Sequence, residues 1–184
     1  MLTYWKNNNL RVRIIFSYAI IVYVQPIRIL IYYLCMKNRQ KLINISKGVN
    51  CIMKRRTARE KALQALFQID ISNTEPSAAI EHVLEGEAGD EYLSKLVLGV
   101  VEQKTLIDNL ISENLEKWSI ERLATVDRNL LRIATYEMKF FRNEVPENVI
   151  LDEAIEIAKI YGDDQSSKFI NGVLSKVKQK LLND

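Results

Sequence analysis

Histidine occurs once in 184 residues, at His82, and cysteine twice, at Cys35 and Cys51. Residues 53–184 therefore contain no thiol. A disulfide framework, a cysteine metal site and a cysteine nucleophile are excluded there, and this usage points to a reducing, cytoplasmic setting. Arrangements that need two histidines are excluded by count. No glycine-rich phosphate loop, His-x-x-x-His pair or serine elbow is present. Apolar–polar alternation of period two is almost absent after Met53, which argues against strands. Internal repeats and low-complexity tracts are absent too. These gaps leave no candidate catalytic residue, no metal and no cofactor, so the expectation is a binding protein, not an enzyme.

Acidic residues are missing altogether from residues 1–52, which carry eight Lys or Arg. The other 132 residues hold 18 basic and 23 acidic side chains, so the overall charge of +3 conceals two unlike pieces. Residues 14–36 are mostly apolar and long enough to span a bilayer. Gln25, Pro26 and Arg28 interrupt that run, and basic residues flank both of its sides. An anchor or interfacial segment is one reading. The other takes the Ile-, Asn-, Tyr- and Lys-rich, acid-free composition as upstream sequence, with Met53 as the biological start. Composition favours the second, so a membrane partner is not expected. The two expected pieces are then a basic, partly apolar extension over 1–52 and a globular domain over 53–184.

Within that domain apolar residues recur at helical spacing. Helices are expected over about 57–71, 77–84, 91–115, 128–141, from Val145-Pro146 to Tyr161-Gly162, and from 166 or 167 onward, with a short turn near 119–123. Pro76 and Pro146 stand at helix starts, where a missing N–H costs nothing. Asp90 is placed to cap the third helix, Asp127 precedes the fourth, and Gly162 is placed to stop the fifth. Gly99 lies inside a helix, which points to close packing or a kink. The fold class is all-α, a bundle of six to seven helices.

Most charged residues read as solvated faces. Glu147, Asp152, Glu153 and Glu156 share one helix, and Asp163-Asp164 flank the start of the next. Residues 54–61 resist that reading. They hold five basic residues and one acid, while the chain from Ala62 onward has 13 basic against 22 acidic. The cations sit at a helix N-terminus, where the macrodipole disfavours them. Lys54, Arg55, Arg56 and Arg59 are therefore candidate contacts for a polyanion, most plausibly nucleic acid. Lys168 and Phe169 form a second candidate. Phe169 can stack on an RNA base or, by its spacing to Val173, belong to the core.

Three blocks carry a resemblance. The first is Arg55-Arg56-x-x-Arg59-x-x-Ala62-x-x-Ala65-Leu66-Phe67. The second is Val126-Asp127-Arg128-Asn129-Leu130-Leu131-Arg132-Ile133-Ala134-Thr135-Tyr136-Glu137-Met138. The third begins Val145-Pro146-Glu147-Asn148-Val149-Ile150-Leu151-Asp152-Glu153-Ala154 and continues to Tyr161-Gly162 and Lys168-Phe169-Ile170-Asn171-Gly172-Val173-Leu174. In this order they resemble the NusB family of bacterial transcription antitermination factors, over residues 53–178. The resemblance implies two packed three-helix subdomains. It implies binding of boxA, a short single-stranded RNA element of ribosomal RNA leaders, and pairing with NusE, a small-subunit ribosomal protein. It further implies membership of the RNA polymerase antitermination complex, with Arg55, Arg56 and Arg59 on the RNA surface and Lys168 and Phe169 adjoining it. Two rivals are a helical adaptor that binds only protein and the accessory domain of a ribosomal RNA methyltransferase. The missing glycine-rich loop argues against the latter.

If Met53 is the initiator, peptide mapping of native protein should recover no peptide from residues 1–52. A native peptide from residues 42–50 in a membrane fraction would overturn this.

Overall fold

A computed structural model describes residues 53–116 and 118–183. The extension over 1–52 and its apolar run at 14–36 lie outside the described residues. Seven α-helices and one 3-10 turn make up the described chain: α1 Arg55–Ser72, α2 Pro76–Leu84, α3 Glu91–Glu102, α4 Lys104–Ser112, the turn Ile120–Arg122, α5 Thr125–Phe140, α6 Glu147–Tyr161 and α7 Ser166–Asn183. No strand occurs among the described residues.

Local chemistry accounts for most boundaries. α1 ends at Asn73, which takes the left-handed conformation (φ 48°) that asparagine tolerates better than most residues. At the start of α2 the Glu75 carboxylate accepts the N–H groups of Ser77 and Ala78, with Pro76 in the first position. Asp90 caps α3 by accepting the N–H of Leu93 at 2.8 Å. Ahead of α7, Asp163 accepts the N–H groups of Gln165 and Ser166, both at 2.8 Å. Those three carboxylates supply acceptors for orphaned N–H groups.

Three expectations need correction. The single helix over 91–115 is two helices, broken at Gln103 (φ −96°, ψ 16°). No Pro or Gly marks the break; it lets α4 bury Ile107 and Ile111 while aiming Asp108 at Arg132. Asp127 does not precede its helix either: α5 starts earlier, at Thr125, and Asp127 lies buried within its first turn. Phe67 and Leu106, whose helical spacing places them on apolar faces with Leu63 and Leu110, are instead 36% and 39% exposed.

The helices form two groups of three. α1 packs against α2 and α3, and α5 packs against α6 and α7; α1–α5 contacts join the groups and α4 rests on α5. Leu96, Ile107, Leu130, Leu131, Ile157 and Leu174 are among the fully buried side chains of one continuous core. Burying each contributes about 1.5–3 kcal/mol. Gly99 serves close packing: a Cβ there would stand 2.0 Å from the Tyr136 hydroxyl oxygen and 2.1 Å from Cζ. Gly162 acts similarly. Its φ of −89° needs no glycine, but a Cβ would lie 2.4 Å from Ser166 Cβ and 2.8 Å from the Ala158 carbonyl oxygen.

α5 is the central helix and carries buried charge. Arg132 donates from Nε and Nη2 to the two carboxylate oxygens of Asp108 (2.7 and 2.8 Å) and from Nη1 to Asp70 Oδ2 (3.0 Å). Asp70 also accepts from Arg128 Nη2 (3.1 Å) and Asn129 Nδ2 (3.2 Å). Burial pushes the Asp70 carboxyl up; the Arg128 hydrogen bond and the Arg132 and Arg128 charges outweigh that, and its pKa lies below the ordinary value. A depressed carboxyl adds stability that is present above its unfolded pKa and lost as pH falls through the folded one. Asp70→Asn should therefore destabilise the protein at pH 7, and its difference from wild type should shrink below about pH 4. Urea unfolding at both pH values measures this.

Candidate nucleic-acid interface

The cluster at residues 54–61 divides into an outward and an inward set. Lys54, Arg55 and Arg56 are exposed, whereas Arg59 and Lys61 are buried. The division follows from helix geometry. Residues 55 and 59 are about 40° apart on the wheel at 3.6 residues per turn, but Arg55 lies a turn nearer the helix end, beyond the packed part of α1.

Four of the five cations have a definite partner. Arg59 donates from Nε and Nη2 to the two Glu137 carboxylate oxygens, both at 2.8 Å. The Tyr92 hydroxyl donates to the same carboxylate. Arg56 forms a second fork, from Nε and Nη2 to Glu153 on α6, both at 2.7 Å. Arg59 Nη1 stands 3.9 Å from Glu153, so one carboxylate serves both arginines. Arg55 Nη1 donates to the Glu144 carbonyl oxygen at 3.2 Å, and its guanidinium lies 5.1 Å from the centre of the Tyr92 ring. Lys61 Nζ donates to the Val83 carbonyl oxygen at 2.6 Å, closing the C-terminus of α2.

The protonation states follow. Burial opposes the Arg59 charge, but the hydrogen bond and charge of Glu137 prevail and hold its pKa above the ordinary value. The Arg56 hydrogen bond lowers the Glu153 carboxyl against the opposing effect of burial. Burial, then the charge of Glu137 and the hydrogen bond to it, push the Tyr92 phenol far up, so it remains a donor. Arg59, Glu153 and Tyr92 keep these roles at neutral pH.

The α1 N-terminus has an unusual electrostatic character. Lys54, at the N-cap, supplies no side-chain acceptor, and no acid lies in the first turn. The first N–H groups thus donate to no capping side chain, at the helix end that carries the exposed Lys54, Arg55 and Arg56. An anion there would meet both the helix dipole and three cations.

Lys168 is exposed and Phe169 half-buried against the core, in the first turn of α7. Lys178 Nζ donates to Asn148 Oδ1, so α6 and α7 run antiparallel and α7 begins beside the far end of α6. Glu153, which holds Arg56, is about 12 Å along the axis from that end at 1.5 Å per residue. The candidates form two stations along α6. Sequence reasoning missed Tyr92, Glu137 and Glu153 as the groups that fix the arginines. Glu153 was read as part of a solvated face, and nothing in local spacing couples it to a residue 97 positions earlier. No group of three or more potential metal ligands occurs among the described residues.

Comparison with known proteins gives a consistent result. The NusB family model matches residues 56–179. The chain is 54% identical over 129 residues to the transcription antitermination protein NusB of Bacillus licheniformis, covering 70% of this chain and 99% of that protein. It is 56% identical over 131 residues to that of Bacillus thuringiensis, covering 70% and 100%. Among solved structures it is similar to T. maritima NusB (TM-score 0.66, 39% identity, 71% of this chain and 94% of that one). It is also similar to a chain in a crystal structure of the antitermination factors NusB and NusE in complex with dsRNA (TM-score 0.61, 30% identity, 68% and 96%).

Arg59→Ala leaves Glu137 charged and buried without its fork and should cost about 3–5 kcal/mol of stability. Arg56→Ala breaks a half-exposed pair and should cost under about 1 kcal/mol. Urea unfolding of the two variants checks the contrast.

Proposed function

Since the chain belongs to the NusB family, we propose that it is a transcription antitermination factor that binds boxA-type RNA together with NusE, within the RNA polymerase antitermination complex in the cytoplasm. The observation that carries this reading is the α1 N-terminus: three exposed cations around a helix end with no side-chain cap. Phosphate at that end offsets the unfavourable pairing of cations with the dipole.

Each residue then has a role. Arg55 and Lys54 meet phosphates directly. Arg56 uses two of its five donors on Glu153 and offers the others to RNA. Arg59, expected among the contacts, is instead a positioning residue, because its donors face the interior and hold Glu137 and Tyr92 beneath Arg55. Lys168 and Phe169 supply the second station, a phosphate contact and a stacking surface. The acid excess from Ala62 onward suits a basic partner, as ribosomal proteins commonly are.

Replacing Arg55 and Arg56 with Ala should weaken RNA binding and flatten the slope of log affinity against log salt by about 1.4, at 0.7 per lost phosphate contact. Phe169→Ala should lose about 1–3 kcal/mol of RNA affinity if the ring stacks. Anisotropy titrations of a boxA-type oligonucleotide over a salt series measure both. An unchanged slope in the arginine variant would remove these residues from the RNA surface.

A further inference from the structure

We propose that RNA contacts on this protein continue beyond the α1 arginines into a cleft between the start of α6 and the end of α7, where Arg142 and Lys178 bind further phosphates; this rests on the RNA-binding reading above. The cleft has a volume of about 340 Å³ and is lined by Arg142, Pro146, Glu147, Asn148, Lys178 and Leu182.

Lys178 differs from its neighbours on α7. Lys176 and Lys180 are paired with Glu116 and Glu113. Among the described residues Lys178 has no carboxylate partner; its Nζ donates to the neutral Asn148 side chain. Arg142 is held from two sides. Its Nε donates to Glu147 Oε1 at 3.2 Å and its Nη2 to the Leu181 carbonyl oxygen. These contacts fix the guanidinium at the cleft and leave Nη1 uncommitted. Glu147 offsets one of the two cations, so the cleft is net positive by one charge. Pro146 and the 60%-exposed Leu182 add an apolar surface suited to a ribose or base.

Continuity with the first station distinguishes this cleft from an isolated basic patch. Arg55 donates to the Glu144 carbonyl oxygen in the loop between α5 and α6, and Arg142 lies two residues earlier in that loop. The two Cα atoms of residues 142 and 144 are at most about 7 Å apart. A strand crossing Arg55 therefore reaches the cleft within a short step.

The experiment uses the full chain and two RNAs, a minimal boxA-type oligonucleotide and the same sequence lengthened by four nucleotides at each end. For wild type, the longer RNA should bind more tightly, with a salt slope steeper by about 1.4 for two added phosphates. Lys178→Gln should remove about half of that increment, and Arg142→Gln with Lys178→Gln nearly all of it, leaving the minimal RNA unaffected. Lys178→Gln does not touch the Arg142 contact to Leu181, so it tests the cleft even if the double variant loosens α7. An equal slope for both RNAs, or an increment that survives both substitutions, overturns the cleft. If poly-glutamate binds through Lys178 while the RNA increment is absent, the cleft takes acidic protein instead and the proposal falls. Failure of both RNAs to bind wild type would overturn the underlying RNA reading itself.

Discussion

Two charge clusters, one at each end of the α1–α5 contact, hold this protein in register. Arg59 and Glu137 join the start of α1 to the end of α5, and Asp70 with Arg128 and Arg132 joins the end of α1 to the start of α5. The pairing order makes the helices antiparallel. Residues 59 and 70 are about 16 Å apart along a helix axis, and 128 and 137 about 13 Å, a difference of about 3 Å that long arginine side chains span. Apolar burial drives the helices together, but it is non-directional. Charges that must find partners exclude a slip of one turn, because a slip would separate Glu137 from Arg59 and Asp70 from Arg128 and Arg132.

The clamp also builds the surface. Once Glu137 fixes Arg59, Tyr92 is fixed by its hydrogen bond to the same carboxylate, and the ring supports Arg55 from beneath. Glu153 then holds Arg56 from α6. The exposed cations thus stand on a buried carboxylate network contributed by α5 and α6, with α3 supplying the ring. This explains how α1 tolerates arginines at its positive end: anionic side chains from other helices replace the acids missing from its own first turn.

Close packing follows the same logic elsewhere. Tyr136 occupies the space over Gly99, and Ser166 the space beside Gly162. Neither glycine relieves backbone strain; each removes a Cβ where another helix or turn comes too near. The break at Gln103 likewise has no local cause. It is where α3 must turn for Asp108 to reach Arg132.

Much of this was legible in the sequence. Apolar periodicity, the prolines at 76 and 146 and the acids at 90 and 163 located the helices, because propensity and capping act within a few residues. The motif blocks carried the family and the grouping of helices. Arg55 and Arg56 were found as exposed cations, since charge at a helix end needs no tertiary knowledge. The structure alone decided that Arg59 and Lys61 turn inward, that Glu153 is a partner and not a solvated acid, that α3 and α4 are separate and that Asp127 is buried. For Arg59, Lys61, Glu153 and Asp108 this depends on residues 20 to 100 positions apart meeting where an unpaired charge is too costly to leave, so that the need for a partner overrides local pattern; the burial of Asp127 depends on packing that no local pattern shows.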